Sequence, residues 1–150
     1  MLTEGAAAPD FELPDLSGTP RTLESLAAGR PLLLAFFHVS CPVCQFTFPF
    51  LERIAHGEVR IAGISQDDAG STAEFNSEFG ITFAAVIENP CRDLSNAYRV
   101  TNVPTLFLIE KGAISMAVTG FSKAALEALG KLAGLNPFFA DELIPAFRPG

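Results

Sequence analysis

Two cysteines separated by two residues carry the chemistry that can be recognised in this chain. Cys41 and Cys44 directly follow the apolar run Leu32–Phe37, which predicts a buried strand, and helix-compatible sequence begins right after them. This order places Cys41 near the first turn of a helix, where free N–H groups and the helix dipole favour a thiolate over a thiol. Because a thiolate is the attacking species in disulfide exchange, the motif indicates thiol–disulfide chemistry.

The short spacing of the two cysteines also bears on their roles. A disulfide between Cys41 and Cys44 closes a very small ring that constrains little of the unfolded chain, which favours a reversible bridge over a structural one. We predict that Cys41, nearer the helix end and solvent, is the nucleophile, and that Cys44, one turn further on, resolves the mixed disulfide. Pro42 suits the first helical position and, with Val43, forms the predicted partner-contacting part of the motif.

Two other interpretations of the pair remain open at this level. The cysteines could be a chance pair of buried thiols, or they could be half of a zinc site. A zinc site needs four ligands, and the chain offers no second Cys-x-x-Cys and no His pair. The redox interpretation is favoured, and we predict no metal and no cofactor.

Composition limits the possible partners. The 150 residues, of which 49% are hydrophobic, suit one domain spanning 1–150, and the net charge of −7 argues against nucleic acid and anionic membranes. No apolar run is long enough to span a bilayer, and the first residues lack the features of a signal peptide. We therefore predict the bacterial cytoplasm, with the periplasm or another extracytoplasmic place as the alternative if a signal was removed.

The hydrophobic periodicity predicts an α/β domain. Its mixed central sheet has helices on both faces and follows an N-terminal β-hairpin, and its crevice lies where the strand before Cys41 ends. The segment 136–150 holds three Pro and three Phe and is predicted to be an irregular tail. The predicted strands are 31–37, 59–65, 83–87, 105–110 and 113–119, and the predicted helices are 42–56, 67–78, 91–99 and 123–132.

A second element lies at the start of a later strand. Pro104 lacks an N–H group and cannot sit in a central ladder, but at the mouth of a site it leaves neighbouring backbone groups, including those of Val103, free for a substrate strand. Taken alone, this is an ordinary strand-opening proline.

Together these features resemble the thioredoxin superfamily over roughly residues 5 to 134, in the branch of AhpC/TSA or redoxin-like proteins and cytochrome-maturation oxidoreductases. The resemblance implies the thioredoxin fold, with Pro104 in cis and facing both cysteines. The matching features are Ala8–Phe11 and Leu16–Gly18 of the hairpin, the motif Cys41–Cys44, the helix-kinking Pro49, the loop Asn102–Thr105, and Gly120 before the last helix.

The chain departs from the family pattern around the motif. The departing positions are Ala35 in place of a buried acid, Phe37 and Ser40 in place of Trp, and Thr47 in place of Glu. The usual groups that help the second cysteine lose its proton are therefore missing, which leaves water, His38 or Glu88.

Three residues are candidate modulators of the site: Phe37, His38 and Cys91. A protonated His38 near Cys41 would favour the thiolate, although an ordinary half-exposed loop histidine is equally consistent with the pattern. Cys91, expected at the start of a helix, is a reactive thiol, a third redox partner or a plain small hydrophobe, and the last is favoured.

The predicted function is a monomeric thiol–disulfide oxidoreductase that exchanges disulfides with a protein disulfide or dithiol. One alternative is a peroxiredoxin-like thiol peroxidase with antioxidant activity, whose pattern wants Thr or Ser at His38 and Pro at Leu34. Another is a copper-handling module, which uses a three-residue gap between the cysteines and a later His, whereas no His follows His56. The direction of exchange depends on the compartment and on the potential of the pair.

Overall fold

The computed structural model describes all residues 1–150 and places the strand before Cys41 at the centre of a five-stranded sheet. All six residues of this strand, Leu32–Phe37, are buried. In chain order the elements are β1 (Leu13–Pro14), β2 (Pro20–Arg21), α1 (Leu23–Ala27), β3 (Leu32–Phe37), α2 (Pro42–Ala55), β4 (Arg60–Ser65), α3 (Ala69–Phe79), β5 (Ala84–Ile87), α4 (Asp93–Ala97), β6 (Thr105–Glu110), β7 (Ala113–Thr119), β8 (Phe121–Ser122), α5 (Lys123–Ala133) and β9 (Phe147–Arg148).

The sheet is mixed, as predicted, with the strand order β5-β4-β3-β6-β7. Strands β3, β4 and β5 are parallel, whereas β6 is antiparallel to β3 and β7 is antiparallel to β6. The predicted N-terminal hairpin forms between β1 and β2. Because the carboxyl ends of β3 and β4 meet at one edge, the segments that follow these two strands lie side by side there.

Aromatic side chains fix β3 from both faces. Successive strand residues point to opposite faces, so Phe36 and Phe37 enter different halves of the core. The Phe36 ring lies 5.4 Å from that of Tyr98, and the Phe37 ring lies 4.4 Å from that of Phe48 and 5.0 Å from that of Phe75. Since Phe48 belongs to α2, the strand and the helix on either side of the cysteine motif are packed against each other.

Helix α2 begins directly after Cys41, with Pro42 in its first turn and Pro49 inside it. A proline suits the first turn, because the N–H groups there have no partner within the helix. None of the five helices combines the length and the apolar character needed to cross a bilayer.

Two segments differ from the sequence-based expectation. The helix predicted over 91–99 is shorter, Asp93–Ala97, because Arg92 has a left-handed backbone with a φ of 52° and stops the helix from starting earlier. The tail predicted to be irregular contains β9, which pairs with β8. This pairing joins residues far apart in the chain, and a local pattern does not report it.

The close approach of β4 to the Phe37 ring gives a stability prediction. A Cβ atom at Gly63 would lie 2.9 Å from Cε1 of Phe37, which is fully buried. We expect Gly63→Ala to lower the free energy of unfolding by about 1–3 kcal/mol through overpacking. Urea denaturation monitored by circular dichroism measures the change.

The matched control is Gly70→Ala in α3, where the added Cβ would meet only Oδ1 of Asp68 at an ordinary 3.5 Å. Alanine is favoured over glycine inside a helix by about 0.5–1 kcal/mol, so this variant should be as stable as the parent or more so. Equal stability of the two variants would contradict the packing argument.

Candidate active site

Cys41 is the N-cap residue of α2. Its backbone is extended, and its Sγ accepts a hydrogen bond from the N–H of Cys44 at 3.1 Å. The Cys41 carbonyl accepts the first helical hydrogen bond, from the N–H of Gln45 at 3.0 Å. The sulfur therefore takes the place of a capping oxygen, at the helix end where negative charge is stabilised.

The two thiols differ in their access to solvent. The structure records both as free cysteines, with 6% of Cys41 and none of Cys44 exposed. A partner sulfur approaching from solvent therefore meets Cys41 first.

The environment of Cys44 keeps its thiol protonated. Burial raises the pKa of Cys44 strongly, and the hydrogen bond to Cys41 and the negative charge on Cys41 raise this pKa further. In the reduced protein Cys44 therefore retains its proton.

The loop between β3 and Cys41 is held by residues that follow β4. The Asp67 carboxylate accepts the N–H of Val39 at 2.8 Å, and the N–H of Gln66 donates to the carbonyl of Phe37 at 3.0 Å. From α2, the side-chain amide of Gln45 donates to the carbonyl of Val39 at 2.9 Å. The motif is thus fixed both by the neighbouring strand and by its own helix.

The Val103–Pro104 loop faces the motif, and its peptide bond is cis. The carbonyl of Val103 lies 3.5 Å from Sγ of Cys41, and the carbonyl of Pro104 accepts the N–H of Gly120 at 2.8 Å. The loop therefore presents a backbone carbonyl directly beside the more accessible thiol.

A cavity of about 470 Å³ opens at this point, at the carboxyl end of β3 where the sequence predicts a crevice. None of the side chains that line it is acidic, and Arg92 supplies a positive charge. The lining residues are His38, Ser40, Cys41, Pro42, Val43, Gln66, Arg92, Ser95, Asn96, Val100, Thr101, Asn102, Val103 and Gly150.

Of the candidate site residues, His38, Pro42, Val43 and Val103 come together with Cys41 in this cavity. Cys44 and Pro104 are buried and do not line it. Nδ1 of His38 lies 3.0 Å from Oγ of Ser40.

Two candidate modulators lie elsewhere. Phe37 is in the aromatic core against Phe48, and its ring is not part of the cavity wall. Cys91 is exposed in the turn before α4 and does not line the cavity, so it is not packed in the core as a small hydrophobe would be. The left-handed backbone of Arg92 starts the helix after Cys91.

The groups around Cys44 leave little choice of proton acceptor. Ala35 is buried between Gly63 and Leu106 in the sheet and carries no ionisable group. The Thr47 hydroxyl donates to the carbonyl of Val43 at 2.7 Å.

Glu88, the acid proposed as a substitute, is buried but bonded elsewhere. Its carboxylate accepts the N–H of Ser95 at 2.8 Å and also the Ser95 hydroxyl, and Ser95 in turn accepts from Nε2 of Gln66 at 3.0 Å. Glu88 therefore anchors α4 to the end of β5, and Ser95 links α4 to the segment after β4. No group of three or more His, Cys, Asp or Glu side chains is placed to hold a metal ion.

The sequence interpretation missed several residues of the cavity wall. Gln66 lines the cavity and Asp67 holds the loop before Cys41, and both directly follow the parallel neighbour of β3, so the rule that carboxyl ends of parallel strands meet could have identified them. Nothing in the sequence pattern indicates that Gly150 reaches the same cavity, because that depends on the path of the tail.

The Val103–Pro104 loop, called the proline loop below, faces a dithiol at the start of α2. Together with the fold, these features define a thioredoxin-like thiol–disulfide oxidoreductase. Residues 5–116 match the model of the AhpC/TSA family, and the chain belongs to this family. The fold and family predicted from the sequence are therefore confirmed, and so is thiol–disulfide exchange as the reaction.

Similar proteins carry the same activity in their names. The thiol-disulfide oxidoreductase ResA of Geobacillus kaustophilus is 33% identical over 122 residues, which cover 77% of this chain and 69% of that protein. A putative thiol:disulfide interchange protein DsbE from Chlorobium tepidum has a TM-score of 0.77 at 26% identity, covering 88% of this chain and 96% of that one. A secreted Mycobacterium tuberculosis disulfide oxidoreductase homologous to E. coli DsbE has a TM-score of 0.70 at 26% identity. The match covers 83% of this chain and 96% of that one.

The raised pKa of Cys44 predicts a pH-dependent stability of the reduced protein. Below about pH 8.5 an ordinary thiol is protonated in both states, so Cys44 adds no pH dependence there. At higher pH the unfolded chain loses this proton while the folded protein keeps it, so stability is lost as the pH rises. The expected loss is up to about 1.4 kcal/mol per pH unit, measured by denaturant titration under reducing conditions.

The comparison uses Cys44→Ala against Cys91→Ala, which removes an exposed thiol. Between about pH 8.5 and 10 the Cys44→Ala variant should lose stability less steeply with pH than the parent. The same slope in both variants would show that the buried thiol is not the source.

Proposed function

We propose that this protein exchanges disulfides with a protein partner, with Cys41 as the nucleophile and Cys44 as the resolving thiol. The observation that carries the assignment is the N-cap position of the Cys41 sulfur, which accepts the N–H of Cys44 and is the more exposed of the two. Both properties suit a group that must be a thiolate and must be reached from solvent.

The reaction proceeds in two displacements. The Cys41 thiolate attacks one sulfur of the partner's disulfide, that S–S bond breaks, and the other partner sulfur leaves as a thiolate that takes a proton from water. Cys44 then loses its proton and attacks the sulfur of Cys41, which releases the second partner thiol. Two electrons pass to the partner, and a Cys41–Cys44 disulfide remains. The reverse sequence oxidises a partner dithiol.

The second displacement requires that Cys44 give up a proton held by its raised pKa. Ala35 and Thr47 cannot accept it, and the carboxylate of Glu88 is bonded to Ser95. Cys44 is fully buried and does not line the cavity, so we propose that water reaches it only during the reaction and takes this proton, assisted by His38 in the cavity wall. Mixed-disulfide formation brings the partner over the site and places the Cys41 sulfur within reach of Cys44.

The partner-contacting surface is assigned to Pro42, Val43, Val103 and Pro104. Pro42 is exposed beside Cys41, and Val43 and Val103 line the cavity. The Val103 carbonyl accepts from the Cys41 thiol at 3.5 Å, and once Cys41 is a thiolate this carbonyl can accept a backbone N–H from an extended partner segment.

The oligomeric state and the cellular compartment of the protein are also proposals. We propose that the protein acts as a monomer, which is consistent with one site built from a single chain, and size-exclusion chromatography with light scattering tests this. For location, the sequence-based preference for the cytoplasm stands against a similar protein that is described as secreted. We propose the extracytoplasmic alternative, to be tested by cell fractionation.

Substitution of each cysteine by serine tests the assignment of roles. We expect Cys41→Ser to lower the rate of insulin disulfide reduction by about two orders of magnitude or more, because the attacking thiolate is lost. Cys44→Ser should still attack and should accumulate a mixed disulfide with the partner, detectable by mass spectrometry without reductant. Cys91→Ser is the matched control and should keep the parental rate. Full activity of the Cys41→Ser variant would overturn the mechanism.

A second measurement separates disulfide exchange from peroxidase activity. The same preparation should reduce insulin disulfides faster than it consumes hydrogen peroxide, because the proline loop beside Cys41 presents a backbone carbonyl suited to a polypeptide. Equilibration with glutathione buffers gives the potential of the Cys41–Cys44 pair and hence the favoured direction. Steady peroxide consumption that outpaces insulin reduction would reverse the assignment.

A further inference from the structure

The last residues of the chain run alongside the active-site cavity. Strand β9 pairs antiparallel with β8, with Arg148 opposite Phe121, and the carbonyl of Ala146 accepts the N–H of Lys123 at 2.9 Å. Residues 146–150, called the tail strand below, therefore add a short strand at the start of α5.

The tail strand reaches the proline loop itself. A Cβ atom at Gly150 would lie 2.7 Å from the carbonyl oxygen of Val103, and Gly150 lines the same cavity as Cys41. A Cβ atom at Gly120 would lie 2.4 Å from the carbonyl of Arg148. Two glycines thus allow the backbone to pack closely against the loop that faces the reactive sulfur.

The tail strand is held by few contacts. Its ladder with β8 has two residue pairs, both of its strand residues are exposed, and 58% of Phe147 is accessible to solvent. The main side-chain contact places the Arg148 guanidinium 4.3 Å from the centre of the Phe46 ring. Short, exposed ladders open at low free-energy cost, so this segment can leave without unfolding the sheet.

We propose that the tail strand occupies the surface on which an extended, disulfide-bearing segment of the protein partner docks, and that the partner displaces it. The inference rests on the proposed function, since it concerns access to the same site. An extended segment is the occupant that fits this surface, because the tail strand itself lies on it in extended form. Its backbone pairs with β8, and Gly150 lies against the carbonyl of Val103. The partner's apparent affinity is then reduced by the fraction of molecules in which the tail strand is seated.

The test compares a protein disulfide with a small one in the full-length chain. Arg148→Ala removes the contact with Phe46 and should raise kcat/KM for insulin by about two- to fivefold, mainly through KM. Its rate with hydroxyethyl disulfide should stay unchanged, because a small disulfide needs no strand surface. The matched control is Arg60→Ala, an exposed arginine at the amino end of β4, which should change neither rate.

A second variant and a direct readout complete the test. Gly150→Ala should raise the insulin rate by displacing the tail strand, whereas Gly70→Ala should not. In the mixed disulfide trapped with Cys44→Ser, the amide of Lys123 should exchange its hydrogen faster than in the free protein, because its bond to Ala146 is lost.

The two proposals fail in different ways. An Arg148→Ala variant with parental insulin kinetics and an undiminished protection of Lys123 in the trapped complex would overturn the displacement while leaving the Cys41 mechanism intact. A parent protein that reduces neither insulin nor hydroxyethyl disulfide would overturn the proposed function itself.

Discussion

Strand β3 is hydrogen-bonded along both edges and covered on both faces, and this burial determines where the reactive sulfur lies. The pairing with β4 and β6 fixes the position of Phe37, and the packing of Phe37 against Phe48 fixes α2 relative to the strand. The chain between them has only a few residues to turn from strand to helix. Cys41 consequently falls at the helix N-terminus, where its sulfur caps the N–H of Cys44.

The same geometry makes the two thiols unequal. Cys41 gains from the helix end and is partly accessible, whereas burial and the neighbouring charge raise the pKa of Cys44. The inequality favours attack by Cys41 but leaves the second displacement dependent on removal of a firmly held proton. Alanine at position 35 carries no carboxylate, and the carboxylate of Glu88 is bonded to Ser95.

The cavity wall combines parts that differ in rigidity. The motif is clamped by Asp67 and Gln45, and the proline loop is bonded to Gly120, so these parts hold their geometry. The tail strand lies in the same wall with a two-residue ladder and exposed side chains. In the proposed displacement the fixed parts hold the sulfur in place, and the weakly held tail strand leaves the surface that receives a polypeptide.

Much of the site could be predicted from local sequence. The run Leu32–Phe37 and the cysteine spacing place a dithiol at a strand–helix junction, because strand burial and helix capping act over a few neighbouring residues. That Pro104 faces the two cysteines was predicted only from the resemblance to a family. The helix expected to start at Cys91 starts two residues later because Arg92 has a left-handed backbone, and a sequence pattern does not encode the backbone conformation of a single residue.

By itself, the sequence determined the positions of the two cysteines, the order of the central elements and thiol–disulfide exchange as the chemistry. The tertiary structure decided which thiol is exposed, that Glu88 is bonded to Ser95, and that Gly150 lies against Val103. The physical reason is the range of the interactions. Helix capping and strand patterning depend on near neighbours, whereas burial, the raised pKa of Cys44 and the seating of the tail strand depend on contacts between residues far apart in the chain.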